Sequence, residues 1–233
     1  MVDVLFVVTA ATGWTLKDGS VHPTGYWAEE LAEPHRLFTE AGWSITVATP
    51  GGVPPTLDEL SLGVAGGLPK KRAEIRRYLE SISDVLDHPR TLAEVDEADF
   101  DLVFYPGGHG PMEDLAHDEV SGNLLRRRLE SGKPLGLLCH APAAILAATN
   151  PDGTSAFAGR TMTGLSNAEE RLNPFAWKAK WLLQDAMIEA GVDYDKGKIP
   201  LRPHVVVDGA LYSGQNPQTA EALATRIIAD LEG

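Results

Sequence analysis

The stretch Pro134-Leu135-Gly136-Leu137-Leu138-Cys139-His140-Ala141-Pro142-Ala143-Ala144 decides the fold. Its first half is an apolar run of strand length that stops at the only cysteine of the chain, and small, helix-compatible residues follow. A strand that turns sharply into a helix lifts one side chain clear of the sheet, as in the nucleophile elbow of hydrolases. The unpaired N–H groups and the dipole of the helix N-terminus then favour a thiolate there. A lone cysteine is most often a small buried hydrophobe. Here the adjacent His140 and the small Ala141, Ala143 and Ala144 point to a reactive turn instead. Cys139 is therefore a candidate catalytic sulfur, with a pKa expected below the free value of about 8.5 and a matching sensitivity to oxidation.

Outward from the elbow, short apolar runs at Val4–Thr9, Ser44–Ala48, Leu102–Tyr105 and Leu135–Leu138 alternate with longer amphipathic stretches. Helical patterns fall at Trp27–Ala41, Glu119–Ser131, Ala141–Ala148, Glu169–Ala190 and Pro217–Leu231, with Gly42, Gly132 and Gly191 as stops. This alternation predicts a parallel sheet covered by helices on both faces. Val205–Val207 and Ala210–Ser213, around Asp208-Gly209, read as a hairpin. The length of 233 residues fits one α/β domain over residues 1–233. Residues 61–90 break the rhythm, with Gly63-Val64-Ala65-Gly66-Gly67-Leu68-Pro69, then the basic Lys70-Lys71-Arg72, then helical spacing over Ala73–Leu79. They read as an insertion available to a pocket wall or a subunit interface, and the basic run as a solvated face.

Composition narrows the partners. Hydrophobic residues at 43% and charged residues at 23% describe an ordinary globular chain with a sizeable core. A formal net charge of -13 disfavours nonspecific attraction to nucleic acid or anionic membrane, so neither is an expected partner. With one cysteine there is no internal disulfide, and the usual zinc-ligand spacings are absent, which matches a reducing cytoplasm and no expected metal. Met1-Val2-Asp3-Val4-Leu5-Phe6-Val7-Val8-Thr9 lacks a basic n-region and reads as a first buried strand. His22, His35, His117 and His204 share no metal-ligand spacing, although His22 lies in a loop expected near the pocket. The five tryptophans read as core or pocket lining, and Pro174, Phe175 and Trp177 as pocket wall or packing.

Sites in open α/β sheets form at the carboxyl ends of the strands, and three further clusters fall where such strands end. Thr24-Gly25-Tyr26-Trp27-Ala28-Glu29-Glu30 opens a helix, where a glutamate is ordinarily a solvated first-turn residue. Tyr105-Pro106-Gly107-Gly108-His109-Gly110 lets backbone N–H groups approach a ligand closely. Thr163-Gly164-Leu165-Ser166-Asn167-Ala168-Glu169-Glu170 carries a carboxylate pair whose plain reading is a helix cap.

In this order the four motifs resemble the PfpI-type branch of the class I glutamine-amidotransferase-like superfamily. Within it, the chain is similar to the glutathione-independent glyoxalase (glyoxalase III) and stress-chaperone subgroup. The likeness runs from Val2 to about Ile228 and includes Asp208-Gly209-Ala210-Leu211-Tyr212-Ser213-Gly214-Gln215-Asn216-Pro217. It implies a flavodoxin-like three-layer α/β/α sandwich with a mostly parallel central sheet and a cysteine nucleophile elbow. It also implies Cys139 as nucleophile, His140 as neighbouring base, Glu30 as the proton-shuttling carboxyl against the sulfur, and Glu170 as the group orienting His140. Spacing selects within each pair, since Glu30 lies six residues after Thr24 and Glu170 six after Gly164; Glu29 and Glu169 are the fallback carboxylates. Backbone N–H groups at Gly108, His109 and His140 would form an oxyanion site, and His22 would contact substrate.

The activity so implied is a glyoxalase needing no cofactor, acting on methylglyoxal or related 2-oxoaldehydes to give 2-hydroxy acids such as D-lactate, in a homodimer. The alternatives carried by the same resemblance are a stress-related chaperone or redox sensor, and a cysteine-dependent hydrolase or hydratase of the amidase, isonitrile hydratase or protease type. Two residues depart from the family pattern. Ala141 stands where glycine is usual and Leu137 where a smaller residue is usual, so a more crowded elbow is expected.

Overall fold

Val4, Leu5, Phe6 and Val7 have no exposed surface, as expected of a strand covered on both faces. They belong to β1 (Asp3–Val7) of the computed structural model, which describes residues 2–233. A short hairpin, β2 (Gly13–Thr15) and β3 (Val21–Pro23), leads into α1 (Ala28–Glu40) and β4 (Ser44–Thr49). Next come α2 (Pro69–Ser81), α3 (Ser83–Asp87), β5 (Arg90–Thr91), β6 (Leu102–Tyr105), α4 (Glu119–Ser131) and β7 (Leu135–Leu138). After the cysteine lie β8 (Thr161–Met162), α5 (Asn167–Glu170), α6 (Leu183–Glu189), β9 (Asp193–Tyr194), β10 (Val205–Asp208), β11 (Leu211–Gly214) and α7 (Ala220–Glu232).

Seven strands form one sheet in the order β10-β11-β7-β6-β1-β4-β5. Every neighbouring pair is parallel except the β10–β11 hairpin. The β4-β1-β6-β7-β11 run has the 2-1-3-4-5 order of flavodoxin-like sheets, with helices α1, α2 and α7 in one group and α4 and α6 in another. Tyr105 pairs with Leu137 and Gly214 with Leu138, so β6, β7 and β11 end side by side and deliver the Gly107 loop, Cys139 and Gln215 to one edge. Phe6, Phe38 and Phe104 meet edge-on or tilted with ring centroids 5.1–6.1 Å apart beneath that edge. Gly136 leaves room for them, since a Cβ there would lie 2.7 Å from the Phe104 ring.

Two expected helices differ from the sequence reading. Glu169–Ala190 is not continuous: α5 ends at Glu170 and α6 begins at Leu183, with a 3-10 turn at Ala176–Lys178 between them. Pro174 cannot donate to a helix ladder, and the Asn173 side chain takes up the N–H of Phe175 at 3.0 Å. Ala141–Ala147 is a 3-10 helix rather than an α-helix, opened by an Ala143 N–H bond to the His140 carbonyl at 2.9 Å. Pro142, without an N–H and close to this start, suits such a tight turn. The helical spacing over Ala73–Leu79 does lie within α2. Within the basic run, Lys71 pairs with Glu29 and Arg72 donates to the Leu62 carbonyl, so only Lys70 is the solvated residue expected.

Arg128 is fully buried on α4 and acts as a clamp on the chain entering β6 and β7. It donates to the carbonyls of Glu97, Phe100, Asp101 and Pro134. Replacing it with leucine would strand the Phe100 and Asp101 carbonyls, since Glu97 and Pro134 still accept from the Phe100 and Val103 N–H groups, and each stranded acceptor costs about 1–3 kcal/mol. Arg128→Leu is therefore expected to lose at least ~2 kcal/mol of stability, read as a fall in the urea midpoint; an unchanged midpoint would show that the clamp is dispensable.

Candidate active site

Cys139 directly follows β7 and has φ 59°, a left-handed conformation rare for a residue with a side chain. Its N–H donates to the Gly214 carbonyl at 2.8 Å and its carbonyl accepts from the Leu165 N–H at 2.9 Å, which pins the strained turn from both sides. Leu137 and Ala141, the two crowding departures, are accommodated with no exposed surface. Cys139 is 3% exposed, and its sulfur lies 3.4 Å from His140 Nδ1.

Glu30 reaches the same point from the first turn of α1 and is completely buried. Its Oε2 accepts the Gly107 N–H at 3.0 Å, while Oε1 has no partner that meets hydrogen-bond geometry. Burial, reinforced by the Glu29 charge, raises the Glu30 carboxyl well above the usual carboxylate range, against the opposing pull of the Cys139 and Gly107 hydrogen donors. Burial likewise pushes the Cys139 thiol up, and the Glu30 carboxylate beside it adds to the rise. This overturns the expectation of a thiol acidified by a helix N-terminus. The seven-residue 3-10 turn supplies no long helix dipole, and the nearest charge is negative. The thiol and carboxyl titrate as a coupled pair.

His140 Nε2 is 2.5 Å from Glu170 Oε2, and His109 Nε2 is 2.9 Å from Glu170 Oε1. Although burial opposes its ionisation, the two imidazoles hold the Glu170 carboxyl far below its usual range. Burial and the neighbouring His109 keep His140 toward its neutral form. His109, expected only as a backbone donor, thus also enters through its side chain, which stacks on Trp14 at 4.5 Å. The ligand atoms of His109, His140 and Glu170 lie within 4.8 Å of one another, a nitrogen and oxygen donor set of the type that suits Zn2+.

The fallback carboxylates occupy other places. Glu29 points to Lys71. Glu169 closes a capping box with Ser166 and also accepts from Gln215, Asn216 and the Leu201 N–H. Gly107 and Gly108 are required by close approach. A Cβ on Gly107 would lie 2.5 Å from Glu30 Oε2 and from the Leu138 carbonyl, and one on Gly108 2.4 Å from the Gly25 carbonyl. The N–H groups of Gly108 and His140 find no acceptor among the described residues. Gly107→Ala is expected to displace the Glu30 carboxyl and cost about 1–3 kcal/mol, detectable as a lowered thermal midpoint. A midpoint equal to the parent's would show that the loop has slack.

These groups form the floor of a cavity of about 410 Å3. His22 stands in its wall, stacked on Phe175 with centroids 3.8 Å apart, and burial holds its imidazole toward neutrality. Pro174 and Phe175 also line it, whereas Trp177 is 73% exposed and does neither of the things expected of the tryptophans. Leu60 and Ala65 reach the wall from the segments around residue 61, and Leu172 and Leu201 complete the rim. Trp14 is buried, as expected of the tryptophans, but its stacking on His109 was not legible; Leu60 and Leu201 lie outside any glycine motif or helical pattern, and Leu172 was hidden inside the apparent helix Glu169–Ala190. His109 was visible in its glycine loop, but the direction of its side chain was not.

No helix among the described residues is long and apolar enough to cross a membrane. A solved structure 32% identical in sequence superposes with a TM-score of 0.82, covering 99% of this chain and 97% of its own. The Rapid Encystment Protein 24 KDa of Francisella tularensis is 23% identical with a TM-score of 0.86, covering 99% of both chains. The glyoxalase III structure from Candida albicans is 23% identical with a TM-score of 0.80, covering 98% and 96%. Among curated proteins, the protein/nucleic acid deglycase HchA of Staphylococcus aureus (strain MSSA476) is 23% identical across 98% of this chain and 79% of its own length. The flavodoxin-like sheet and the strained cysteine elbow accord with the family model that matches residues 23–230, and the chain belongs to the DJ-1/PfpI family.

Proposed function

We propose that this protein is a cofactor-independent glyoxalase that converts 2-oxoaldehydes such as methylglyoxal to 2-hydroxy acids. The observation that carries the reading is the buried Glu30 carboxyl set against the Cys139 thiol on the floor of a cavity, with His140 3.4 Å from the sulfur. The Cys139 sulfur bonds to the aldehyde carbon C1, giving a hemithioacetal whose oxygen is received by the free N–H groups of Gly108 and His140. Glu30, the carboxyl set against the sulfur, removes the C1 proton and returns a proton at C2 through an enediol, leaving a thioester, with His140 as the alternative base if Glu30→Gln stays active. Water then cleaves the S–C1 bond, releasing the 2-hydroxy acid and restoring the thiol. Glu170, held ionised, orients His140 and stabilises its protonated form.

Similarity to the Staphylococcus aureus deglycase and to the Candida albicans glyoxalase III supports an enzyme of this chemistry. A deglycase acting on glycated protein or nucleic acid is the second reading, favoured by the relative's name alone. Glutathione-free buffer with methylglyoxal is expected to accumulate D-lactate, and in D2O the product should carry deuterium at C2. Hydrogen retained at C2, together with an undiminished rate in Glu30→Gln, would replace the enediol with a hydride shift. An absence of lactate from protein whose Cys139 still alkylates would overturn the glyoxalase reading and move hydrolase, hydratase and redox-sensing roles ahead.

A further inference from the structure

The cavity is far larger than methylglyoxal needs. At about 410 Å3 it falls in the ~300–1,000 Å3 range of sites that enclose drug-sized ligands, whereas the chemistry occupies only its floor. Above that floor three leucines from separate segments converge on one rim: Leu60, Leu172 and Leu201, which are 45%, 64% and 46% exposed. Singly exposed leucines are ordinary, but three meeting over one polar floor form a shared apolar wall. Leu201 is also held there at a cost. Its φ of 59° is unfavourable for a residue with a Cβ, and its N–H is tied to Glu169 Oε1 at 2.8 Å. Cationic partners are missing: among the described residues no lysine or arginine lines the cavity, while Asp58, Glu169 and Glu170 do.

We infer that the preferred substrates are neutral 2-oxoaldehydes whose C2 substituent is a bulky apolar group, seated against Leu60, Leu172 and Leu201, and that anionic substituents are rejected. This rests on the glyoxalase reading above. The bonds made and broken are those already described, water being consumed and only the group on C2 changing. An added methylene in an apolar pocket is worth roughly 10-fold in kcat/KM.

The experiment compares kcat/KM for methylglyoxal, isobutylglyoxal, cyclohexylglyoxal and a 2-oxoaldehyde ending in a carboxylate, using the full chain and Leu172→Asn. Leu172 is exposed enough that this substitution should fold, and Leu172→Met serves as the conservative control. Isobutyl and cyclohexyl substrates are expected to exceed methylglyoxal at least ~10-fold and the carboxylate substrate to fall below it. Leu172→Asn should lower the cyclohexyl-to-methyl ratio several-fold, and Leu172→Met should retain it. A flat series with methylglyoxal turned over would overturn the inference and leave the glyoxalase reading standing. Turnover of no 2-oxoaldehyde would sink the glyoxalase reading. Cys139 alkylation by N-phenylmaleimide against N-ethylmaleimide then decides the apolar wall, equal rates overturning it.

Discussion

Cys139→Ala should abolish turnover of 2-oxoaldehydes, with a loss of at least ~10³-fold in kcat, while the protein remains folded. Covalent catalysis divides a difficult step into two easier ones, and no other thiol exists in the chain to substitute. The imidazoles nearby do not replace it, because His140 and His109 are both committed to Glu170. The elbow itself should survive. Its φ is imposed by backbone bonds to Gly214 and Leu165 and not by the sulfur, so alanine inherits the same strain. D-lactate formation and circular dichroism check the two halves. Full lactate production by the variant would remove Cys139 from the role of nucleophile, whereas a chaperone activity would be expected to persist in it.

Glu30→Gln is the second large effect, expected at about 10²–10⁴-fold in kcat, the usual worth of a positioned general acid-base. Glutamine retains the shape and can still accept the Gly107 N–H, but it cannot carry a proton between C1 and C2. The pH profile separates this from a structural defect. Burial raises Glu30 and Cys139 together, so the rising limb of kcat/KM should lie above the ordinary carboxylate range. In the variant the charge that opposes thiolate formation is gone, and Cys139 alkylation should show its midpoint at lower pH than in the parent. Stability should move the other way from activity. A carboxyl whose folded pKa is raised above its unfolded value contributes stability at low pH that is lost as pH rises through the folded pKa. Glu30→Gln removes that loss, so near neutrality its thermal midpoint should equal or exceed the parent's. A lower midpoint together with an unshifted alkylation profile would assign Glu30 a packing role.

The sheet was legible because its strands are continuous buried runs. Val4–Val7 and Leu135–Leu138 carry no polar side chains, and runs this short, separated by helical stretches, fit strands covered on both faces. The elbow was legible because that run stops at a unique cysteine. Within each glutamate pair, neighbouring helix positions point about 100° apart, so one spacing rule separates a residue facing the sulfur from one facing elsewhere. Glu29 accordingly meets Lys71 and Glu169 meets its cap, while Glu30 and Glu170 meet the site.

What lay beyond the sequence depends on long-range geometry. The apparent helix from Glu169 to Ala190 has helical periodicity, yet Pro174 breaks it and frees Leu172 and Phe175 for the cavity wall. The raised thiol pKa follows first from the burial of the elbow and then from where α1 places Glu30, more than a hundred residues upstream of the cysteine. The joint hold of two imidazoles on Glu170 needed the direction of the His109 ring, which a glycine-loop motif does not specify.

The most direct measurement is intact-mass spectrometry of the Glu30→Gln protein mixed with methylglyoxal and quenched at short times, with peptide mapping of the adduct. The expected result is a species heavier by one methylglyoxal, carried on Cys139 and accumulating because the proton transfer that follows is blocked. A Glu30→Gln protein that carries no adduct on Cys139 and still forms D-lactate at the parent's rate would contradict both the covalent path and the shuttle.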